Sequence, residues 1–432
     1  MPHWVQVAAG KQPDRLAIEC GERSLTYAEL SAAAAEGARS LAALGVRPGD
    51  GVTLEIEDRF DLAVAVHSCL MGGFPAVPID HRLAEDERAT RRQAARFCLE
   101  EWPPGPGTRM AAASPGAPPA APPGQGLAAI MHTSGTTASP KPVGLTYGNW
   151  LASALGSAVA LGLDPAERWL CPMPMTHVGG LSILMRSVIY ATTAVLQPRF
   201  ETEAVLNDLM DPARRITMVS LVPTMLARLL GAGLERPPTL RWALLGGAPI
   251  PAALLDRAAD AGVPVAPTYG MTEGCSQLFT FGFPLPGVQW RLSEPEHEIM
   301  VRGPMVAPGA LEEDGWLRTG DLGAIDERGA LRIVGRRSNT IITGGENVAP
   351  EEVEAVLEQH PEVSDVAVIG RPDPEWGQAV VALVVARDGV DCEQLRAHCR
   401  QHLASFKVPK SVELVHALPR TTSGKLLRRE LR

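Results

Sequence analysis

The 432-residue chain has no stretch approaching 18 consecutive apolar residues, and Met1-Pro2-His3-Trp4 shows no basic-then-apolar signal pattern. These absences argue against a spanning helix and a secretory leader, so a soluble, cytoplasmic protein is expected. Basic residues are not in excess: 40 Lys and Arg stand against 49 Asp and Glu, a net charge of −9. A general nucleic-acid partner, which needs a basic face, is therefore not expected. The seven cysteines (Cys20, Cys69, Cys98, Cys171, Cys275, Cys392 and Cys399) contain no Cys-x-x-Cys pair, and their number is odd. That pattern fits reduced thiols better than a disulfide framework or a zinc site. Cys392 and Cys399, seven apart on an expected helix, read as packing.

What is present is ordinary globular material, with 45% hydrophobic and 21% charged residues. The length exceeds one compact core and implies two or three domains. One stretch stands out: Thr133-Ser134-Gly135-Thr136-Thr137-Ala138-Ser139-Pro140-Lys141. Five hydroxyls surround one glycine and a lysine closes the run, so amides, hydroxyls and a cation can converge on an anion. Leu127 to Met131 before it reads as a buried strand. The stretch is not a Walker loop, because G-x-x-x-x-G-K-[ST] cannot be aligned on it. Read alone, it is equally a polar surface turn.

The remaining chain is α/β in texture. Thr26 and Glu29 have capping-box spacing ahead of a helical period that ends at Gly45. Residues 102 to 126 are rich in Pro, Ala and Gly and read as a surface linker. Asn149 to Leu163 reads as a helix with small residues on its faces. Pro172 to Gly180 is expected to interrupt regular structure, before an apolar helix, Leu181 to Tyr190, that carries one cation, Arg186. A buried cation requires a carboxylate, phosphate or water nearby. Three strand-then-helix units begin at Thr217, Leu240 and Val263, the last two running into glycine-containing turns. They imply parallel strands with crossovers and a site at their carboxyl ends. From about residue 287 to 336 the pattern is short alternating strands. Gly335 to Asn339 is a candidate hinge, and Pro350 opens a helix with Glu351 and Glu352 in its first turn.

With these segments in place, the chain resembles the adenylate-forming superfamily of acyl-CoA synthetases, adenylation domains and luciferases. Thr133 to Lys141 resembles its phosphate loop, Tyr269-Gly270-Met271-Thr272-Glu273 its adenine and magnesium motif, and Gly315 to Asp321 its ribose motif. Gly344-Gly345-Glu346-Asn347-Val348 and Ser423-Gly424-Lys425 resemble its two C-terminal motifs. All five occur in family order. The resemblance implies an α/β fold: residues 1–336 form a large part with mainly parallel sheets flanked by helices, including the β-rich subdomain. Residues 337–432 form a small, mobile α+β domain.

The same resemblance implies a role for each position. Thr133, Ser134, Gly135, Thr136, Thr137 and Lys141 would hold the β- and γ-phosphates of ATP. Gly247, Ala248 and Pro249 would line the adenine, with Tyr269, Gly270 and Met271 against it. Thr272 would touch the α-phosphate and Glu273 would carry Mg²⁺. Asp321 and Arg336 would contact the ribose. Lys425 would bridge the carboxylate of a small acid and the α-phosphate, and Gly344-Gly345 would border the CoA channel after the C-terminal domain rotates. The chain departs from the family pattern at Ala138 and Pro142, where glycine is usual, and at Asn339, where Asp or Lys is usual. The portion ahead of the phosphate loop is also short.

Pro174 to Tyr190, Thr146 to Trp150 and Cys275-Ser276-Gln277 resemble one branch, the 2-succinylbenzoate–CoA ligases of menaquinone synthesis. That acid has two carboxylates, so one needs a partner other than the reacting phosphate. Arg186, Ser276 and Thr280 suit it chemically, and His177 would gate or position the reacting group. The alternative for Arg186 is an internal acid. For the whole chain the alternatives are a ligase for another aryl or fatty acid, or a catalytically silent nucleotide-binding homologue. A homodimer is left open.

Overall fold

The structure, a computed structural model, describes residues 3–104, 126–133, 141–343, 346–387, 390–420 and 426–431. The expectations for Ser134, Gly135, Thr136, Thr137, Ala138, Gly344, Gly345 and Lys425, and for most of the Pro/Ala/Gly-rich linker, concern positions outside the described residues. The chain divides into two compact units. One comprises Met1–Ile250, Leu254–Gln289 and Arg302–Leu317; the other comprises Pro251–Ala253, Trp290–Val301 and Arg318–Arg432.

The first unit holds two large sheets. In the nine-stranded sheet, six neighbouring strands are parallel: Val265–Met271, Trp242–Leu245, Met218–Leu221, Arg168–Cys171, Thr193–Leu196 and Leu16–Cys20. Their inward positions are Leu, Val, Ala and Trp, as strands covered on both faces require. The expected crossovers are present, but the last strand does more than end in a turn. Val265–Met271 turns back through Thr272–Gly274 and pairs antiparallel with Ser276–Thr280. Gly270 permits this return, since a Cβ there would lie 1.7 Å from the carbonyl oxygen of Ser276. The second sheet runs Phe97–Leu99, Val52–Leu54, Ala76–Pro78, Leu127–Thr133 and Lys141–Thr146. Its first four strands are parallel and the last is an antiparallel return.

Helix starts follow side-chain chemistry. Thr26 and Glu29 form both bonds of a capping box at the head of Tyr27–Ala43, and Thr146 and Asn149 do the same for Tyr147–Leu161. The apolar helix spans Val178–Tyr190, three residues earlier than the sequence texture suggested. The Pro-rich, Gly-rich run therefore breaks at His177, not Gly180. Its glycines fall in the first helical turn, where their cost is small because intrahelical bonding is only beginning. Leu181, Ile183, Leu184, Met185 and Val188 are all buried, each contributing about 1.5–3 kcal/mol of transfer free energy at most.

The second unit contains a four-stranded sheet, Gln289–Leu292, Glu298–Arg302, Leu317–Ile325 and Leu331–Arg336, whose end residues Gln289, Arg302 and Leu317 count with the first unit. It also contains a five-stranded sheet in the order Glu346–Val348, Ile341–Thr343, Gly377–Ala386, Val363–Asp373, with Ser411–Leu414 parallel to Gly377–Ala386. Helices Pro350–Leu357 and Cys392–His402 supply Val353, Leu357, Leu395 and Cys399 to a core with Val368 and Val380. Cys399 packs there as expected, Cys392 is half-exposed, and all seven cysteines are free. By compactness the β-rich segment groups with the residues after it. The sequence reading instead places that segment, residues 287–336, with the large N-terminal part and begins the small domain at Arg337.

Candidate active site

The hydroxyl-rich stretch is bracketed by a hairpin. Thr133 and Lys141 are direct antiparallel partners, and the Thr133 hydroxyl donates to the Lys141 carbonyl at 3.5 Å. Ala128 to Met131 are fully buried, so the first strand is a fixed base, while Lys141 is exposed at the head of the second. Pro142 lies opposite His132 and brings no amide to the ladder. Both strands lie against the Thr272–Gly274 turn.

That turn is braced from behind. Asn149 donates its side-chain amide to the carbonyls of Pro304 and Val306 at 2.8 and 3.0 Å, and the next amide, Ala307, donates to the Glu273 carbonyl at 2.7 Å. Thr272 and Glu273 are half-buried, and the Glu273 carboxylate has no hydrogen-bond or ion-pair partner among the described residues. Gly247, Ala248 and Pro249 are exposed on the segment after strand Trp242–Leu245. Tyr269 is half-buried with its ring 5.9 Å from that of Phe279, and Met271 caps the turn.

After the turn, Cys275 and Ser276 take consecutive left-handed conformations, with φ of 54° and 83°. Such angles cost about 1–3 kcal/mol each in non-glycine residues and persist only where surroundings impose them. Here Ser153 imposes one, donating its hydroxyl to the Cys275 carbonyl at 2.8 Å. The bend aims Ser276 at helix Val178–Tyr190, its hydroxyl 3.4 Å from that of Ser182. Thr280, on the same strand, is buried and takes the Gln277 amide.

Arg186 lies one helical turn beyond Ser182 and is 1% exposed. Its Nη2 donates to Ser153 at 3.2 Å, and its guanidinium stands 5.7 Å from the Trp169 ring centroid. Nε and Nη1 have no partner among the described residues, and no carboxylate there pairs with this cation. Burial pulls its pKa down, with Tyr190 and Cys275 acting weakly the other way. The internal acid that was the alternative partner for Arg186 is not found among the described residues. A guanidinium left this way is costly unless an anion arrives.

His177 is the N-cap of the same helix and makes no capping bond. Its surface is open to solvent, yet dense surrounding protein lowers its pKa by desolvation. Asp80 opposes the shift, while Arg91 and Arg82 add to it.

In the second unit, Asp321 and Arg336 are cross-strand partners joined at 2.7 Å from Nε to Oδ1. Asp321 is 5% exposed and its amide donates to the Thr319 hydroxyl at 3.1 Å. Glu298 takes the Gly320 amide at 2.9 Å and pairs with Arg337 at 3.3 Å, fixing the turn before Asp321. Thr343 and Glu346, which flank Gly344-Gly345, pair in register, and Arg420 pairs with Leu426 on either side of the Lys425 segment.

Sequence reasoning did not single out Ser153, Trp169 or Glu298. The first two are seven residues into a helix and within a strand, with no local pattern to mark them. Their significance comes only from meeting Arg186.

A family model described as AMP-binding enzyme matches residues 5–100 and 91–311, and one described as AMP-binding enzyme C-terminal domain matches residues 352–425. The 2-succinylbenzoate–CoA ligase of Bacillus licheniformis is 38% identical, over 100% of this chain and 99% of the relative. That of Bacillus subtilis is 37% identical, over 100% and 97%. Among solved structures, the o-succinylbenzoate CoA synthetase of Bacillus subtilis in complex with its acyl-adenylate intermediate superposes with a TM-score of 0.89 at 35% identity, covering 100% of this chain and 98% of that one. The same enzyme with ATP and magnesium ion gives 0.88 at 35% identity, covering 100% and 99%.

Proposed function

The chain belongs to the AMP-binding enzyme family, and on that premise we propose that it is an ATP-dependent 2-succinylbenzoate–CoA ligase of menaquinone biosynthesis, acting in the cytoplasm. One observation carries the choice of acid. Arg186 is a buried guanidinium bonded to the Ser153 hydroxyl, with Nε and Nη1 unpartnered among the described residues, one helical turn from Ser182, whose hydroxyl lies 3.4 Å from that of Ser276. A plain aryl or fatty acid would leave that cation uncompensated, whereas a keto-diacid brings a second carboxylate to it.

The chemistry follows from charge. A carboxylate oxygen attacks the α-phosphorus of ATP, the bond to the β-phosphate oxygen breaks, and pyrophosphate leaves. The thiol of CoA then attacks the acyl carbon, loses its proton, and AMP departs with the bonding electrons. Both reactants of the first step are anionic, so residues that align and neutralise them supply the acceleration. Lys141 and the hydroxyls from Thr133 to Thr137 serve the departing pyrophosphate, and Lys425 the attacking pair. Thr272 serves the α-phosphate. Asp321 accepts from the ribose hydroxyls beside Arg336, and Gly247 to Pro249 with Tyr269 flank the adenine. The Glu273 carboxylate, half-buried and without a hydrogen-bond or ion-pair partner among the described residues, fits a hard divalent cation, and Mg²⁺ bound there would offset phosphate charge. Between steps the C-terminal residues turn about Arg337–Asn339, exchanging Lys425 for Gly344-Gly345.

Mass spectrometry of a reaction containing ATP, Mg²⁺, CoA and 2-succinylbenzoate tests this reading. The acyl-adenylate and then the thioester are expected; recovery of unaltered acid would overturn it.

A further inference from the structure

Glu351, in the first turn of helix Pro350–Leu357, meets three separated segments of the second unit. Asn339, the last residue of the Arg337–Asn339 turn, donates its side-chain amide to Glu351 Oε1 at 3.1 Å. Arg428 Nη2 reaches the same oxygen at 3.4 Å. The other oxygen, Oε2, is buried without a hydrogen-bond partner among the described residues and rests against Gly335, where a Cβ would lie 2.6 Å away. Gly335 immediately precedes Arg336, and Arg428 follows Lys425 by three residues.

Arg428 is itself firmly held. It donates twice to Glu354 at 2.7 Å and to the Val368 carbonyl at 2.7 Å, while the Val368 amide donates to Glu354 at 2.6 Å. Glu354 and the Val368 carbonyl therefore suffice to anchor Arg428, and structural packing does not require Glu351 as well. What Glu351 adds is a single carboxylate shared by the strand before the turn, the turn, and the residues after Lys425.

We propose that Glu351 is a positioning residue that couples the Arg337–Asn339 turn to the chain segment carrying Lys425. The inference rests on the adenylate-forming reading, in which that turn is the hinge and Lys425 acts in the first half-reaction only. When the turn rotates, Asn339 gives up its bond to Glu351 Oε1, and the share of that oxygen available to Arg428 Nη2 changes with it. A carboxylate shared by both partners makes the two responses one event, and separate carboxylates would not.

The test is a cycle of Asn339→Ala and Arg428→Met, made with Glu351 and again with Glu351→Gln, in the full-length protein. Two quantities are read: the single-turnover rate of pyrophosphate release with 2-succinylbenzoate, and thioester formation from supplied acyl-adenylate. With Glu351 present, the two substitutions should be non-additive by about fivefold or more on pyrophosphate release. With Glu351→Gln they should combine within about twofold, and on thioester formation, where Asn339→Ala acts through the hinge alone, they should combine within about twofold in both backgrounds. Additivity on pyrophosphate release in both backgrounds overturns the proposal, as does the same non-additivity on thioester formation.

Amide hydrogen exchange of residues 426–431 provides a readout that needs no turnover. Asn339→Ala should raise exchange there when Glu351 is present and not in Glu351→Gln; no change in either background overturns the coupling. Absence of any pyrophosphate release by the unsubstituted protein would instead count against the functional reading, and the exchange result would still decide the coupling.

Discussion

Arg186 donates from Nη2 to the hydroxyl of Ser153 at 3.2 Å, and that hydroxyl donates its only proton to the carbonyl of Cys275 at 2.8 Å. The relay joins a buried cation to the left-handed bend that presents Ser276. It also leaves Nε and Nη1 of Arg186 for something else.

Replacing Arg186 with Met should therefore separate function from stability. Removing a buried guanidinium relieves its desolvation, so the melting temperature should hold or rise. Losing the partner of a buried substrate carboxylate costs about 2–5 kcal/mol, so kcat/KM for 2-succinylbenzoate should fall by about 30-fold or more. Activity toward benzoate, which lacks a second carboxylate, should change far less. Initial rates of pyrophosphate release and a thermal melt check both halves.

Asp321→Asn should weaken ATP binding with little effect on the acid. Hydrogen bonds to a charged group contribute about 1.5–3 kcal/mol, which predicts a KM for ATP raised about tenfold or more. Arg336 is 40% exposed, so water compensates much of its lost pairing and the fold should be only slightly destabilised. Steady-state kinetics at varied ATP and urea unfolding are the measurements.

The parts of this fold that were legible in the sequence are those with local causes. Thr26–Glu29 announces a helix start because capping is a contact between near neighbours, whereas the same box at Thr146–Asn149 went unread and that helix begins at Tyr147, two residues before the expected Asn149. The Tyr269 to Glu273 run and Asp321 are legible because spacing within a motif survives translation into structure. Around Arg186 a cation on an apolar helix is visible in the sequence, but its bond to Ser153, 33 positions away, and the bond of Ser153 to Cys275, 122 positions away, are contacts that no local pattern marks. The early start of Val178–Tyr190 was missed because glycine reads as a breaker wherever it falls. Glu351 looked like a helix-dipole carboxylate, which it also is.

Two buried histidines set a pH dependence of stability. Burial lowers His67 to about 3, with His3 adding to the shift, and lowers His132 to about 4, with Arg91 adding. Their unfolded value is near 6.5, so above it both states are neutral and these groups give no slope. Below about 6.5 the unfolded chain binds protons that the native state refuses, and stability falls toward pH about 4 by up to about 1.4 kcal/mol per unit for each histidine. Denaturant unfolding at successive pH values should show this loss, and His132→Gln should reduce its slope. An unchanged slope would contradict the assignment.

Lys425→Ala should abolish pyrophosphate release from ATP and the acid by about 10²-fold or more, on the scale of removing a charge that stabilises the transition state. Thioester formation from supplied acyl-adenylate should persist within about threefold, since a group acting only in the first step leaves the second intact. Single-turnover assays of each half-reaction separate these outcomes, and equal losses would contradict the division of labour.

The central claim is that this chain activates a diacid and reads its second carboxylate with Arg186. The most direct measurement is kcat/KM by pyrophosphate release across 2-succinylbenzoate, benzoate and octanoate at fixed ATP and Mg²⁺. Strong preference for 2-succinylbenzoate is the predicted result. Good turnover of benzoate or octanoate, with none of 2-succinylbenzoate, would contradict it.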